Sequence, residues 1–161
     1  SRTGLNMNAE TTVALSQLDT IVATKEASGN IVQIGQIIRD AETGFSVYSG
    51  NDNEIVPILS VGGIGVISVA ANLIPNITSK ITKHYLSGNT QESNRLFLKY
   101  LPLFNDLFVD VNPVPVKHAL NIMGFDVGSC RLPLVSLSNT DIETLKKTMA
   151  DVGLIKHDAS N

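Results

Sequence analysis

Short apolar runs alternate with helical apolar spacings through the first half of the chain. Residues 21–24 form a β-branched run that predicts a strand, and isoleucines at positions 31, 34, 37 and 38 then recur at the spacing of one helical face. The same order recurs at residues 45–49 and 65–69, each predicted to be a strand followed by a helix. Because a crossover helix separates each pair of strands, the pattern predicts parallel βαβ units and an α/β fold.

The helices of this half have predictable ends and faces. Asn8, with Thr11 three residues later, predicts the N-cap of a helix that precedes the first strand. Its apolar face is expected to consist of Val13, Ala14 and Leu18. The helix after the second strand is expected to bury Ile55, Ile58 and Leu59.

From residue 88 onward the pattern is helical throughout. Asn89, followed by Glu92, predicts the start of a long helix whose two apolar stripes imply burial on most sides. A short helix is predicted at residues 116–123, and a last helix follows it. Two pairs of residues could cap this last helix, namely Ser138 with Asp141 or Thr140 with Glu143.

Composition narrows the class of protein. The chain has 161 residues, 43% of them hydrophobic, and a net charge of −3, as expected for a globular chain without the basic patch of a nucleic-acid-binding protein. Its most apolar stretch, residues 55–75, contains prolines, glycines and polar residues, which argues against a membrane span. One cysteine, Cys130, fits a reducing compartment, so we expect a cytoplasmic location.

Three strands do not close a barrel. Either the chain forms part of a (β/α)8 barrel whose other strands come from elsewhere, or it forms a small open sheet. The start, Ser1-Arg2-Thr3-Gly4, has neither Met nor a signal peptide and favours a piece of a longer chain. We therefore expect residues 1–87 to be the second part of a TIM barrel and residues 88–161 to be a C-terminal helical domain.

Lys25 is the first candidate for chemistry because it follows the first strand, at the end where barrel enzymes carry their active sites. A lysine in a barrel mouth loses hydration, which allows the neutral amine to attack a ketone carbonyl. The alternative is an ordinary solvated lysine at a strand end.

Two other groups of residues have simpler explanations. Gly50-Asn51-Asp52 follows the second strand, where glycine would let a ligand approach the backbone; taken alone, this segment is better explained as a helix-capping loop. The three histidines, His84, His118 and His157, lack the spacing of a metal site.

Five segments together are similar in order and spacing to the dihydrodipicolinate synthase family, and the resemblance extends from Ser1 to about Ile155. The segments are Ser1-Arg2-Thr3-Gly4, Lys25-Glu26-Ala27-Ser28-Gly29-Asn30, Ser49-Gly50-Asn51-Asp52, Gly65-Val66-Ile67-Ser68-Val69-Ala70-Ala71-Asn72 and Asn112-Pro113-Val114-Pro115-Val116-Lys117.

The resemblance implies a TIM barrel with a C-terminal helical domain, usually in a homotetramer, that condenses pyruvate with L-aspartate 4-semialdehyde in lysine biosynthesis. It implies that Lys25 forms a Schiff base with pyruvate, without a metal or organic cofactor. Arg2 would hold the carboxylate of the semialdehyde, and Gly50 and Ile67 would line the pyruvate pocket.

The chain departs from the family pattern in two ways. Asn51 replaces a common aspartate, and the family's threonine pair and proton-relaying tyrosine belong to an N-terminal half that this sequence does not contain. The alternatives are N-acetylneuraminate lyase or a keto-deoxy-sugar aldolase of the same superfamily, and a non-catalytic half-barrel. Two segments look more like the synthase than like these relatives, namely Ser1-Arg2-Thr3-Gly4 and Asn112-Pro113-Val114-Pro115-Val116-Lys117.

Overall fold

The computed structural model describes residues 3–156 and contains one parallel sheet flanked by helices. The strands β1 (Ala23–Glu26), β2 (Ser46–Ser49) and β3 (Gly65–Val66) lie in the order β1-β2-β3, and both pairings are parallel. Helix α2 (Ile31–Asp40) joins β1 to β2, and α3 (Ile55–Ser60) joins β2 to β3. The predicted α/β class with parallel βαβ units is confirmed.

The remaining helices precede and follow this sheet. They are α1 (Ala9–Ser16), α4 (Pro75–Leu86), α5 (Thr90–Asp106), α6 (Val114–Ile122) and α7 (Asn139–Asp151), and 3₁₀ turns cover Asp52–Glu54 and Ala70–Asn72.

The predicted boundaries of β1 were wrong. Lys25 and Glu26, expected in the loop after the strand, belong to β1 and pair with Tyr48 and Ser49 of β2. The error arose because these polar residues interrupt the apolar run, whereas strand pairing depends on backbone hydrogen bonds that any side chain allows.

Strand β3 is shorter than predicted, covering Gly65–Val66 of the expected residues 65–69. The ladder continues for one more bond, in which the Ile67 N–H donates to the Ser49 carbonyl at 2.8 Å. The chain then turns into the 3₁₀ segment Ala70–Asn72, which ends the pairing.

The core beside the sheet is aliphatic. Val47 of β2 packs with Ile34 and Ile37 of α2 and with Ile58 of α3, all buried. Side chains of a strand alternate between the two faces of a sheet, so Val47 and Ser49 mark the face that the helices cover. The predicted buried face of α3, with Ile55, Ile58 and Leu59, is confirmed.

Helix α1 has the predicted cap but not the predicted face. The Asn8 side chain accepts from the Thr11 N–H at 2.9 Å. Thr12 and Ser16 are buried, whereas Leu18 is 52% exposed. These hydroxyl groups can be buried because each has a backbone partner: Ser16 Oγ, for example, donates to the Val13 carbonyl and accepts from the Glu42 N–H.

The starts of the later helices agree better with the predictions made from the sequence. Asn89 Oδ1 accepts from the Glu92 N–H at 3.3 Å, which confirms the predicted start of α5. Of the two possible caps of α7, the structure selects Ser138, whose Oγ accepts from the Asp141 N–H at 3.1 Å. Helix α6 begins two residues earlier than predicted, because Pro115 occupies its first turn, where the missing N–H needs no partner.

Burial of α5 is one-sided rather than nearly complete. Leu98 and Phe108 are exposed, which corrects the prediction of a helix enclosed on most sides. Its buried hydrophobic residues form a single broad stripe: Leu96, Phe97, Tyr100, Leu103, Phe104 and the following Leu107.

The chain divides into two compact units. One contains the residues through Ser68 together with Lys80–Asn94, and the other contains Val69–Ser79 and the residues from Arg95 onward. The division expected near residue 88 between barrel and helical domain remains a prediction about the whole protein. Among residues 3–156, no helix is both long and apolar enough to cross a membrane.

Candidate active site

Lys25 lies on the sheet face opposite the α2–α3 core. Its neighbour Glu26 is buried on the helix side, and alternation along β1 therefore directs Lys25 to the other face. Lys25 pairs with Tyr48, and Tyr48 pairs with Gly65, so these three residues form one row across the sheet. The row places a lysine amine and a tyrosine on the same face.

The side chain of Lys25 is exposed in this chain. The expected loss of hydration therefore does not occur here. The physical reason is that, among the strands the structure describes, β1 pairs only with β2 and its outer edge is open.

Gly50 lies directly beside Lys25. Its N–H donates to the Glu26 carbonyl at 2.6 Å, which holds the loop after β2 against the end of β1. A Cβ at Gly50 would lie 2.8 Å from the Ala27 Cβ and 3.0 Å from the Lys25 Cε. Position 50 must therefore be glycine to allow this close approach, and two of the predicted site residues are brought together.

Ile67 follows β3, at the opposite edge of the sheet from Lys25. Ile67 is two positions after Gly65, so alternation directs its side chain to the Lys25 face, where it is 50% exposed. Its N–H is engaged by the Ser49 carbonyl, which fixes the backbone at this point.

The loop after β2 is held by its own side chains. Asn51 donates from Nδ2 to the Glu54 carboxylate at 3.0 Å and makes no capping bond to the turn that follows it. Asn51 thus occupies the N-cap position of the turn Asp52–Glu54, as expected for a helix-capping loop, but its side chain bonds to Glu54 instead of to a backbone N–H. Asp52 is 1% exposed and accepts a short hydrogen bond from Ser68 Oγ, which ties this loop to the segment after β3.

Sequence reasoning missed the role of Glu26. This residue is 5% exposed, and both of its carboxyl oxygens accept hydrogen bonds, from Ser28 Oγ at 2.6 Å and from Gln33 Nε2 at 3.3 Å. Gln33 in turn accepts from Asn6 Nδ2 at 2.7 Å. Glu26 was predicted to lie in a loop, and its burial depends on pairing with Ser49 of β2, which the sequence does not reveal.

A groove of about 330 Å³ in the second unit is a poor candidate for the same chemistry. It is lined by α6 and by the loop that follows, including Lys117, His118 and Cys130. Lys117 Nζ donates to the Ser129 carbonyl at 2.8 Å, and His118 Nε2 accepts from the Leu137 N–H at 3.4 Å. The Lys117 and His118 side chains are thus already hydrogen-bonded to backbone groups nearby.

The open face of the sheet thus combines a lysine amine with closely apposed backbone at Gly50 and a fixed backbone at Ile67. An amine of this kind can form a covalent imine with a ketone or aldehyde. Arg2 and His157, also singled out from the sequence, lie outside the described residues.

Known proteins resemble the chain over nearly its whole length. The profile of the dihydrodipicolinate synthetase family matches residues 1–152. The 4-hydroxy-tetrahydrodipicolinate synthase of Caldicellulosiruptor saccharolyticus is 51% identical over 154 residues, which cover 96% of this chain and 52% of that protein. The chain therefore spans about half the length of the curated relatives it matches.

Solved structures agree with this result. The dihydrodipicolinate synthase of Cyanidioschyzon merolae with lysine bound has a TM-score of 0.91 at 41% identity, over 95% of this chain and 52% of that one. The chloride-inhibited dihydrodipicolinate synthase of Acinetobacter baumannii, complexed with pyruvate, has a TM-score of 0.89 at 33% identity, over 94% of this chain and 52% of that one.

Proposed function

Because this chain belongs to the dihydrodipicolinate synthetase family, we propose that it is part of a lyase that condenses pyruvate with L-aspartate 4-semialdehyde. The product would be 4-hydroxy-tetrahydrodipicolinate, in the diaminopimelate route of lysine biosynthesis. The single observation that carries the proposal is Lys25 on the open sheet face with its Cε beside Gly50.

We propose that the chain supplies the C-terminal part of a (β/α)8 barrel, followed from about residue 88 by a helical domain. An N-terminal half, outside this sequence, would provide the other strands, and the complete enzyme would be a cytoplasmic homotetramer. The open outer edge of β1 and the coverage of about half of each relative support this arrangement. Closure of the barrel would enclose the face that carries Lys25 and remove water from its amine.

In the proposed reaction, the Lys25 amine attacks the keto carbon of pyruvate, and loss of water gives a protonated imine. The imine is an electron sink, so a methyl proton can leave and an enamine forms. The enamine carbon then attacks the aldehyde of the semialdehyde, whose oxygen takes up a proton to become the hydroxyl group. The amino group of the semialdehyde adds to the imine carbon and displaces the Lys25 amine, which closes the ring of the product and frees Lys25. This route needs neither a metal nor an organic cofactor.

The remaining site residues have proposed binding roles. The Gly50 backbone would line the pyruvate pocket beside Lys25, and the Ile67 backbone would lie against the pyruvate part. Arg2 would bind the carboxylate of the semialdehyde through its forked, permanently charged donors. By resemblance to the family, the tyrosine that relays protons and the threonine pair would come from the N-terminal half.

The experiment that tests this function compares aldehydes. The intact protein is incubated with pyruvate and either L-aspartate 4-semialdehyde or N-acetylmannosamine, and pyruvate consumption is measured. We expect turnover with the semialdehyde and its loss, by more than about a thousandfold, in Lys25→Arg, which keeps the charge but lacks the nucleophilic amine. Turnover with the sugar alone would contradict the proposed substrate and favour a sugar-acid lyase.

A further inference from the structure

Glu26 is a buried acidic residue that the proposed reaction does not use. It directly follows Lys25 and projects to the opposite face of β1, towards α2. Ser28 Oγ donates to one carboxyl oxygen and Gln33 Nε2 to the other. Burial of a carboxyl group is costly unless it is hydrogen-bonded, so this arrangement requires both donors.

The partners of Glu26 connect three separate segments. Gln33 lies in the first turn of α2 and also donates to the Met7 carbonyl, while its own oxygen accepts from Asn6. Ser28 Oγ accepts from the N–H of Asn30, the residue that caps α2. The end of β1 is therefore tied to the segment before α1 and to the start of α2.

The main chain of Glu26 also contacts the candidate active site, through Gly50. Its carbonyl accepts from the Gly50 N–H at 2.6 Å, and Gly50 is the residue whose Cα lies against Lys25. On the opposite face of β1, the Glu26 side chain is anchored to Ser28 and Gln33, so the end of this strand is held from the helix side as well as through its pairing with β2.

We propose that Glu26 is a positioning residue: held by Ser28 and Gln33, it fixes the end of β1 and so sets the distance and direction of the Lys25 amine relative to Gly50. The proposal rests on the imine-forming role of Lys25 given above. Glu26 would not touch the substrate. Small displacements of a reacting group have large effects on rate, and groups that support it from behind are therefore important for catalysis.

The test measures how fast Lys25 of the intact protein is trapped by pyruvate and borohydride in four variants. Glu26→Leu removes both acceptors, Gln33→Met removes one donor, and Glu26→Gln keeps the length and one acceptor. Thr148→Val is the matched control, because it removes a partly buried hydrogen bond in the other unit, the one that Thr148 Oγ1 donates to the Asp106 carboxylate at 2.5 Å.

We expect Glu26→Leu to slow imine formation by roughly tenfold or more, Gln33→Met to slow it less, and Glu26→Gln to retain most of the rate. Thr148→Val should lower the thermal midpoint without changing the trapping rate. If Glu26→Leu does not fold, the trapping rates of Gln33→Met and Glu26→Gln are compared with that of the wild type instead.

Equal trapping rates in the folded Glu26 and Gln33 variants and the wild type would overturn the inference. So would an equal slowing in Thr148→Val, because the effect would then follow stability alone. If the wild-type protein forms no adduct, both the proposed function and the inference are overturned. If the wild type and the Glu26 and Gln33 variants all form the adduct at the same rate, only the inference is overturned.

Discussion

Gly50 lies where the loop after β2 crosses the end of β1, and the space beside its Cα is already occupied. The nearest atoms belong to Ala27, Glu26 and Lys25, at 2.8–3.0 Å from the position that a Cβ would take. Two of these are a strand carbonyl and the Cβ of a loop residue, which cannot move as a long side-chain end can. Position 50 must therefore be glycine, because any Cβ would lie too close to these atoms.

Gly50→Ala is therefore expected to displace the end of β1 and the Lys25 side chain. Overpacking of this kind costs about 1–3 kcal/mol, and we also expect slower imine formation. The measurements are chemical denaturation and the rate of borohydride trapping with pyruvate.

Gly35→Ala is the matched control. Gly35 lies inside α2, and apart from its chain neighbours and the backbone of its own helix no atom lies within 4 Å of its Cβ position. Alanine should therefore stabilise the helix by about 0.5–1 kcal/mol and leave trapping unchanged. If Gly50→Ala and Gly35→Ala had the same stability and the same trapping rate, the close approach at Gly50 would not position Lys25.

Single residues were predictable from sequence to different degrees. Lys25 and Gly50 were found because each lies at the end of an apolar run, and the structure places them side by side. Glu26 was missed because its burial depends on pairing with β2 and on a donor in α2, seven residues further along the chain. Neither partner can be recognised from a local pattern.

At the scale of elements, the N-terminus of α2 joins the site to the core. Asn30 Oδ1 accepts from the N–H groups of Val32 and Gln33, both at 3.1 Å. These bonds satisfy two of the four unpaired N–H groups at the start of the helix. The same turn presents Gln33 to Glu26.

Asn30→Ala should destabilise the protein by about 1 kcal/mol, because those two N–H groups lose their acceptor. Asn30→Asp should retain most of the stability, since a carboxylate accepts the same bonds and interacts favourably with the helix dipole. Thermal and chemical denaturation measure both effects. Equal stability of the alanine and aspartate variants would exclude a capping role.

Helix positions were predicted better than strand positions. The caps at Asn8, Asn89 and Ser138 are local interactions that span three residues, so sequence spacing contains the necessary information. The boundaries of β1 and β3 depend instead on a partner strand some twenty residues away. The face of α1 was wrong because Thr12 and Ser16 are buried with hydrogen bonds that hydropathy does not reveal.

At the scale of the whole molecule, the sheet is open. In the described part of the chain β1 and β3 each pair with β2 alone, and the face with Lys25 and Ile67 has exposed side chains. Open strand edges are templates for further pairing. We propose that the other half of a barrel occupies this face and these edges.

The isolated 161-residue chain should therefore self-associate. In size-exclusion chromatography with light scattering, we expect species larger than a monomer, and we expect a co-purified N-terminal half to replace them with a defined complex. A stable monomer of the isolated chain would contradict this interpretation of the open sheet.

Covalent trapping tests most directly whether Lys25 forms the imine. The intact protein is treated with pyruvate and borohydride, its mass is measured, and the modified peptide is mapped, with Lys25→Arg as the control. We expect one reduced pyruvyl group on Lys25 and none in the variant. An intact protein that remains unmodified, or that is modified at another lysine, would show that Lys25 does not form the imine with pyruvate.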